Sequence, residues 1–269
     1  MKDPLLNKGP MSEDYQDKQA LTLTREGGAS LAYHRLAPAA DSTAPTIVFL
    51  GGFMSDMTGT KAIYLEEFAK ARGLGFVRFD YFGHGQSSGS FADGTIGRWK
   101  DDSLAVIDQL TSGPLVLVGS SMGGWIMLLA ALARSERLHS LVGIAAAPDF
   151  TRDLMWASFS DDVKQMITTQ GRFEKPTDYG DDPYIITKAL IDDGLDHILL
   201  DGPIALTCPV RLYQGMKDAD VPWETALRIV EKLESTDVET VLVKEGDHRM
   251  SEPNQLQGLA NILDSLLDD

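Results

Sequence analysis

A five-residue segment constrains the fold of this chain more than any other feature of its sequence. Residues 119–123 read Gly-Ser-Ser-Met-Gly. Before them, residues 114–118 form a short apolar run with β-branched side chains, which predicts a buried strand of a parallel sheet. After them, residues 124–134 are rich in Leu, Ala and Met, which favour helix. A serine flanked by two such glycines, on a turn from strand to helix, is the pattern of a nucleophile elbow.

The position of the glycines follows from how tight such a turn is. A Cβ atom at either flanking position would clash with neighbouring backbone, so Gly119 and Gly123 are required there. The turn would hold Ser121 at the carboxyl end of the sheet with its Oγ exposed. Ser121 is therefore the candidate nucleophile, and an ordinary Gly/Ser turn without a chemical role is the alternative.

Composition excludes several classes of partner. The 269 residues suffice for one large α/β domain with an insertion, or for two small domains. The hydrophobic content of 43% is typical of a globular chain with a substantial core. The formal net charge of −16 argues against nucleic acid and against an anionic membrane surface, because both attract Lys and Arg. The single cysteine, Cys208, excludes an intramolecular disulfide and fits a reducing compartment.

The first twenty residues resemble neither a targeting segment nor a structural element. They are polar and of mixed charge, without the apolar core of a signal peptide or the Arg-rich, acid-poor pattern of a transit peptide. We expect residues 1–20 to be a disordered lead. No run in the chain is long and apolar enough to span a bilayer. These features predict a cytoplasmic protein.

Strand and helix patterns alternate along most of the chain, which predicts a mostly parallel sheet with helices on both faces. A hairpin is expected at the start, in residues 21–24 and 29–36. The elements expected after it are strand 46–50, helix 61–72, strand 75–79, helix 99–110, strand 115–118, a helix to residue 134, strand 141–146, strand 210–213, helix 223–233, strand 239–244 and helix 255–267.

The alternation stops between residues 149 and 203, where the pattern shows helical pieces and loops but no clear strand. We expect residues 21–148 and 204–269 to form the core, and residues 149–203 to form a small, mainly helical lid over the strand ends. Seven apolar lid side chains could line an acyl pocket, although packing of the lid on the core explains them equally well. They are Phe150, Met155, Trp156, Phe159, Met166, Tyr184 and Ile185.

The lid is also rich in aspartate. A concentration of negative charge near a site would disfavour anionic leaving groups such as coenzyme A. The residues concerned are Asp161, Asp162, Asp181, Asp182, Asp192 and Asp193.

A serine hydroxyl is a weak nucleophile at neutral pH and needs a base, which a third group must orient. Of the five histidines, only His248 follows both Ser121 and a plausible acid loop. For the acid, Asp218 lies just past a predicted strand. Asp220 in the same loop is the alternative, and we expect it instead to cap a helix or lie on the surface. Asp247 adjoins the base and is poorly placed to reach its far nitrogen.

The oxyanion formed during acyl transfer needs preorganised N–H donors. One would come from Met122, the residue after the nucleophile, at the N-terminus of its helix. The other should come from the loop after strand 46–50, and we assign it to Phe53. Gly51 and Gly52 would let this loop approach the substrate oxygen, although a tight strand exit needs the same residues.

A polar segment at residues 80–89 contains Asp80 and His84 and could suggest a further site. We interpret it mainly as a shaped loop, because His84 precedes the serine in the chain and His248 fits the role of base better. The glycines around Ser121 lack the lysine and the spacing of a phosphate-binding loop. The histidines show no paired metal-ligand spacing, so neither a metal nor a cofactor is expected.

With these residues in place, the chain resembles the α/β-hydrolase superfamily from about residue 21 to residue 267. It is most similar to the branch of palmitoyl-protein thioesterases and acyl-glucuronide esterases. That resemblance implies Ser121 as nucleophile, Asp218 as acid and His248 as base. Animal members of the branch carry a mitochondrial leader, a pattern that the first twenty residues do not show. Four segments carry the resemblance: Gly-Gly-Phe-Met-Ser-Asp-Met-Thr-Gly-Thr-Lys-Ala at 51–62, Arg-Phe-Asp-Tyr at 78–81, Gly-Ser-Ser-Met-Gly-Gly-Trp at 119–125 and Asp-His-Arg-Met at 247–250.

Taken together, the sequence predicts a serine hydrolase that cleaves small-molecule carboxylic esters or acyl thioesters through an acyl-enzyme intermediate. A carbon–carbon bond hydrolase or a lipase-like enzyme could use the same triad and is the alternative within this class. A binding protein that keeps the fold without catalysis is the alternative from a different class.

Overall fold

A computed structural model of the chain describes residues 19–40, 42–175 and 183–267. Most of the predicted lead lies outside these ranges. The strands are β1 (Leu21–Thr24), β2 (Ser30–Leu36), β3 (Thr46–Leu50), β4 (Phe76–Phe79), β5 (Leu115–Ser120), β6 (Leu138–Ile144), β7 (Arg172–Lys175), β8 (Tyr184–Thr187), β9 (Val210–Gly215) and β10 (Val238–Val243). The helices are α1 (Thr60–Arg72), α2 (Ile96–Leu110), α3 (Met122–Ala133), α4 (Asp161–Gln170), α5 (Lys188–Leu195), α6 (Glu224–Lys232) and α7 (Pro253–Leu267).

Eight of these strands form one mostly parallel sheet, in the order β1-β2-β4-β3-β5-β6-β9-β10. The pairs β1–β2 and β2–β4 are antiparallel, and every pair from β4 to β10 is parallel. The mostly parallel sheet and the opening hairpin predicted from the sequence are thereby confirmed. This topology brings the loops that follow β3, β5, β9 and β10 to the same edge of the sheet.

Helices cover both faces of the sheet, which explains why its central strand is apolar throughout. In β5, Leu115 and Leu117 belong to the core on one face, with side chains from α2 and α3. Val116 and Val118 belong to the core on the other face, with side chains from α1 and α7. Side chains alternate between the faces of a strand, so a strand covered on both sides needs apolar residues at every position.

Helix α3, which directly follows the predicted elbow, is strongly apolar. It is 12 residues long, and nearly all of it is buried between the sheet and α2. A membrane-spanning helix needs about 20 apolar residues. In the part of the chain that the structure describes, no helix is long and apolar enough to cross a membrane.

The segment between β6 and β9 contains more regular structure than the sequence predicted. It includes a π-helical turn, Thr151–Trp156, the helices α4 and α5, and the antiparallel pair β7–β8. The expectation of a segment without strands is therefore wrong. The two strands have four residues each, and the only buried side chain among them is Ile186. Strand β7 has one apolar residue, whereas β8 reads Tyr-Ile-Ile-Thr, residue types that favour strands, and the prediction overlooked that signal. Their pairing, and a small apolar cluster around Ile186, form only in the folded chain.

Candidate active site

The candidate nucleophile sits in a strained turn between β5 and α3. Ser121 has φ 56° and ψ −120°, a conformation that non-glycine residues rarely adopt. Its amide donates to the carbonyl of Ile144, and its carbonyl accepts from the amides of Gly124 and Ala147. These bonds hold the strained backbone in place, and such strain is concentrated at functional sites.

The flanking glycines allow the strand and the helix to approach each other closely. A Cβ atom on Gly119 would lie 2.3 Å from the carbonyl oxygen of Gly123. A Cβ on Gly123 would lie 2.1 Å from the carbonyl oxygen of Leu50, at the end of β3. Both distances are far inside van der Waals contact, so only glycine fits at either position.

The structure brings Ser121, His248 and Asp218 into one hydrogen-bonded chain. Oγ of Ser121 lies 3.0 Å from Nε2 of His248, and Nδ1 of the same ring lies 2.8 Å from Oδ2 of Asp218. The imidazole is 20% exposed and the carboxylate is fully buried. This is the geometry in which a histidine can take a proton from the serine while the carboxylate orients the ring.

Backbone contacts between two loops hold Asp218 and His248 together. The loop after β9 carries Asp218, and the loop after β10 carries His248. The amide of Lys217 donates to the carbonyl of Gly246 at 2.9 Å, and the amide of Met216 donates to the carbonyl of Val243 at the same distance. The two side chains therefore meet because their strands are parallel neighbours in the sheet.

The carboxylate of Asp218 is held in its ionised form. Burial by itself would raise its pKa, but hydrogen bonding and charge from His248 keep the pKa below the usual range. Oδ1 also accepts the backbone amides of Asp220 (2.9 Å) and Val221 (2.8 Å). Donors to both oxygens favour the charged form, which is the form that stabilises an imidazolium.

Gln214 is a part of this site that the sequence analysis missed. It is buried in β9, and its Nε2 donates to Oδ2 of Asp218 at 3.0 Å. The same nitrogen lies 3.2 Å and 3.3 Å from the carbonyls of Gly215 and Val221. A signal was present in the sequence, because an amide side chain at the end of a buried strand must find hydrogen-bond partners.

The two residues whose amides are predicted to stabilise an oxyanion lie in segments next to Ser121. Met122 is the first residue of α3, where backbone N–H groups point away from the helix. The loop that carries Phe53 passes close to the serine, since a Cβ on Gly52 would lie 3.4 Å from Cβ of Ser121. Among the described residues, neither the amide of Phe53 nor that of Met122 donates a hydrogen bond within the protein.

A cavity of about 630 Å³ opens onto this group, and both Ser121 and His248 line it. Its volume is in the range of small-molecule binding sites. Apolar side chains of the lid segment and of the loop after Asp218 form part of the wall, namely Phe150, Leu154, Met155, Tyr184, Val221 and Pro222.

Three of the seven predicted lid side chains line the cavity: Phe150, Met155 and Tyr184. Trp156 and Phe159 instead pack in the small apolar cluster of the lid segment. The remaining two, Met166 and Ile185, are not among the lining residues, and Met166 is exposed.

The ring of Phe53 connects the lid segment to the core. Its centroid lies 5.7 Å from those of Phe150 and Tyr184 in the lid segment. On the other side it lies 4.8 Å from Phe91 and 6.0 Å from Trp99. Edge-to-face contacts of this kind restrict the ring and thereby the backbone that carries it.

The alternative site residues have structural contacts of their own. Nδ1 of His84 lies 3.2 Å from the carbonyl of Phe82, and burial lowers the pKa of His84 to about 4. Asp247 accepts the amide of Met250 and does not reach the far side of the imidazole. Asp220 is exposed, as the surface alternative predicted, and it does not cap helix α6, which begins only at Glu224.

Asp218, Asp220 and His248 also form a cluster that could hold a metal ion, since their ligand atoms lie within 4.8 Å of one another. The sequence spacing did not predict this cluster. Both ring nitrogens of His248 already lie within hydrogen-bonding distance of protein oxygens, so a metal at this position would compete with the contact to Ser121 or to Asp218.

Lys61 belongs to residues 51–62, the longest of the segments that carry the resemblance, and it contacts the loop that contains His248. Nζ of Lys61, at the start of α1, donates to the carbonyl of Arg249, the residue after His248. Burial lowers the pKa of Lys61 to about 8, and the charge of Asp247 opposes the shift. Both Lys61 and Arg249 line the cavity.

Comparison with known proteins gives consistent results over most of the chain. The sequence model of the Alpha/beta hydrolase family matches residues 47–260. A mouse protein named palmitoyl-protein thioesterase ABHD10, mitochondrial, is 41% identical over 247 residues, which are 91% of this chain and 82% of the relative.

Solved structures agree with this result. A crystal structure of a protein from Agrobacterium vitis has a TM-score of 0.88 and 41% identity, and covers 93% of this chain and 98% of that one. The structure of alpha/beta hydrolase domain-containing protein 10 from mouse has a TM-score of 0.84 and 39% identity, and covers 93% and 99%.

These similarities correct one prediction. The mouse relative and its mammalian counterparts at 40–41% identity are all named as mitochondrial proteins. The cytoplasmic location predicted from the sequence is therefore wrong. It rested on reading the first residues of the chain as a polar lead without a targeting pattern.

Proposed function

Because this chain belongs to the alpha/beta hydrolase family and is a hydrolase, we propose that it cleaves carboxylic esters or acyl thioesters through a Ser121–His248–Asp218 triad. The observation that carries the proposal is the unbroken hydrogen-bonded chain from Ser121 through His248 to Asp218, at 3.0 Å and 2.8 Å, beside a cavity. The triad requires no metal or cofactor.

The first half-reaction forms an acyl-enzyme. Nε2 of His248 accepts the proton of Ser121 as Oγ attacks the substrate carbonyl carbon, and the carbonyl oxygen becomes an oxyanion. The amides of Phe53 and Met122 donate to that oxyanion. The bond to the alcohol or thiol then breaks, and His248 gives its proton to the leaving group.

The second half-reaction releases the acid. His248 takes a proton from water, whose oxygen attacks the acyl carbon, and Oγ of Ser121 leaves and recovers the proton. Asp218 holds the ring in the correct tautomer and stabilises the imidazolium that forms in each half-reaction. The depressed pKa of Asp218 supports this role, since the carboxylate must stay ionised.

The acyl group is proposed to bind against the apolar wall of the cavity, with residues 149–203 acting as a lid. Phe150, Leu154 and Met155 supply apolar surface on the lid side. The similarity to proteins named palmitoyl-protein thioesterases supports an acyl thioester as the substrate of this chain. A long acyl chain would gain about 0.8 kcal/mol for each methylene it buries.

The predicted repulsion of anionic leaving groups loses its structural support. Four of the six predicted aspartates, Asp161, Asp162, Asp192 and Asp193, do not line the cavity, and Asp181 and Asp182 lie outside the described residues. Asp193, for example, accepts the amide of Gly97 at 2.7 Å and so joins the lid segment to α2. The cavity is lined by charged side chains of both signs, namely Lys61, Lys175, Arg249, Asp56 and Asp220.

The test is hydrolysis of p-nitrophenyl esters from acetyl to palmitoyl, with Ser121→Ala as the control. The proposal predicts turnover that rises with acyl length and disappears in the variant. Acylated cysteine peptides and acyl-coenzyme A, with the acyl length matched, then report the preferred leaving group. Equal rates for wild type and Ser121→Ala on every substrate would contradict the proposal.

A further inference from the structure

Strand β4 and the residues just after it carry polar side chains that the triad does not use. Residues 78–81 read Arg-Phe-Asp-Tyr and form one of the segments that resemble known hydrolases. Arg78, Asp80 and Tyr81 are all buried. Each of the three binds the loop between β3 and α1, which carries Phe53.

Asp80 fixes two loops at once. Its Oδ1 accepts the amide of Met57 at 2.7 Å, and its Oδ2 accepts the amide of Gln86 at 2.8 Å. The side chain is 1% exposed, so water does not replace either bond. A buried carboxylate that accepts two backbone amides is a strong positional restraint, because hydrogen bonds to a charged acceptor are about twice as strong as neutral ones.

Arg78 binds the backbone carbonyl of Met57, the residue whose amide Asp80 accepts. Its Nη1 donates to the carbonyl of Met57 at 2.8 Å, and its Nε donates to Glu66 of α1 at 2.5 Å. The carbonyl of Met57 is thus held by Arg78 of β4, and its amide by Asp80, the residue directly after that strand. Met57 itself is 1% exposed and cannot shift toward solvent.

Tyr81 contacts the opposite end of the loop. Its hydroxyl donates to the carbonyl of Gly51 at 3.3 Å. Phe53 lies between the two fixed points, two residues after Gly51 and four before Met57. The loop is therefore restrained on both sides of the amide that would face the oxyanion.

We propose that Arg78, Asp80 and Tyr81 are positioning residues for the oxyanion hole, because they hold the loop that presents the Phe53 amide to the substrate. This role rests on the proposed function, in which that amide stabilises the oxyanion. The three side chains touch neither the triad nor the substrate, so their loss weakens stabilisation of the transition state and leaves binding of the ester unchanged.

The test is the variant Asp80→Asn, in which an NH2 group faces one of the two backbone donors. We expect kcat to fall on the order of 10²-fold, as for a misplaced catalytic group, with KM within threefold of wild type. A trifluoromethyl ketone forms a hemiketal with the serine and places an oxyanion in the hole. Its Ki should rise in proportion to the loss of kcat/KM, whereas the Ki of the matching secondary alcohol should not change.

Asp102→Asn is the matched control. Asp102 is also a buried carboxylate that accepts a backbone amide, that of Phe82, but it does not bind the loop of Phe53. This control should lose stability and keep kcat within twofold of wild type. Tyr81→Phe, which removes only a hydroxyl, serves if Asp80→Asn fails to fold, and should lower kcat about tenfold with the same rise in Ki.

Several results would overturn the proposal. The first is an unchanged kcat in folded Asp80→Asn or, if that variant does not fold, in Tyr81→Phe. The second is an equal loss of kcat in Asp102→Asn. The third is a loss of kcat without a change in the Ki of the trifluoromethyl ketone. A wild-type protein without ester or thioester hydrolysis refutes the proposed function itself, and the positioning role with it. The two failures are distinct, since one is read in the wild type and the other in the variants.

Discussion

Oγ of Ser121 lies 3.0 Å from Nε2 of His248, although the two residues are 127 positions apart in the chain. Ser121 follows the central strand β5, and His248 follows the edge strand β10. The parallel sheet brings both loops to one edge, and the strained turn at Ser121 raises its side chain toward the ring.

The strain at Ser121 predicts that activity and stability oppose each other at this position. Both Ser121→Ala and Ser121→Gly remove the proposed nucleophile. Glycine tolerates a φ of 56°, so the substitution relieves about 1–3 kcal/mol of backbone strain. The greater freedom of glycine in the unfolded chain opposes this gain and lowers the stability by about 0.5–1 kcal/mol. We expect Ser121→Gly to exceed Ser121→Ala by about 1 kcal/mol in free energy of unfolding, measured by urea denaturation. A glycine variant no more stable than the alanine variant would show that the turn stores no strain.

Asp218 and Asp220 were the two candidates for the acid, and their variants should behave differently. Asp218→Asn reverses the hydrogen bond to Nδ1 of His248 and favours the wrong tautomer of the ring. We expect kcat to fall by about 10⁴-fold with little change in KM. Asp220→Asn keeps that bond and should stay within a few-fold of wild type in steady-state assays of one ester. A larger loss in Asp220→Asn would assign the acid to Asp220.

The contact from Gln214 to Asp218 predicts a smaller effect on both stability and turnover. Gln214→Met has a similar shape but lacks the donor to Oδ2. Loss of a hydrogen bond to a charged group costs about 1.5–3 kcal/mol, so thermal unfolding should occur at lower temperature. We also expect kcat to fall about tenfold, because the orientation of Asp218 is less restricted. Unchanged kcat and stability would mean that the backbone amides of Asp220 and Val221 orient Asp218 without help from Gln214.

Lys61 predicts a pH dependence of stability on the alkaline side. Its pKa falls from 10.5 to about 8 on folding because burial disfavours the ammonium form. Between these values the unfolded chain binds more protons, so the contribution of Lys61 to the free energy of unfolding rises with pH. The free energy of unfolding of wild type minus that of Lys61→Met should therefore become more positive from pH 8 to pH 10, measured by urea unfolding. Lys70→Met, at an exposed lysine of the same helix, should track wild type across the range. A constant difference for Lys61→Met would contradict the lowered pKa.

The parallel sheet and the proximity of Ser121, Asp218 and His248 could be predicted because each has a signal in the sequence. The elbow is marked by its glycines, and the order of serine, acid and base along the chain selects His248 and Asp218 from several candidates. Strand β7 carries one apolar side chain and could not be predicted, whereas the run Tyr-Ile-Ile-Thr of β8 is a strand signal that the sequence analysis did not use.

Contacts between distant segments were also invisible in the sequence. The hydrogen bond from Lys61 to the loop of the base joins residues that are 188 positions apart. Met54 and Met250 have φ values of 54° and 47° near Phe53 and His248, and neither of these two residues is a glycine. Such backbone conformations are imposed by packing around the site rather than by the preference of the residue itself.

The most direct test of the account is the site of covalent labelling by a fluorophosphonate probe, read by intact mass and peptide mapping. The account predicts one adduct per chain, on Ser121, and no adduct in Ser121→Ala. An adduct on a different residue, or ester hydrolysis by a protein that the probe does not label, would contradict Ser121 as the nucleophile.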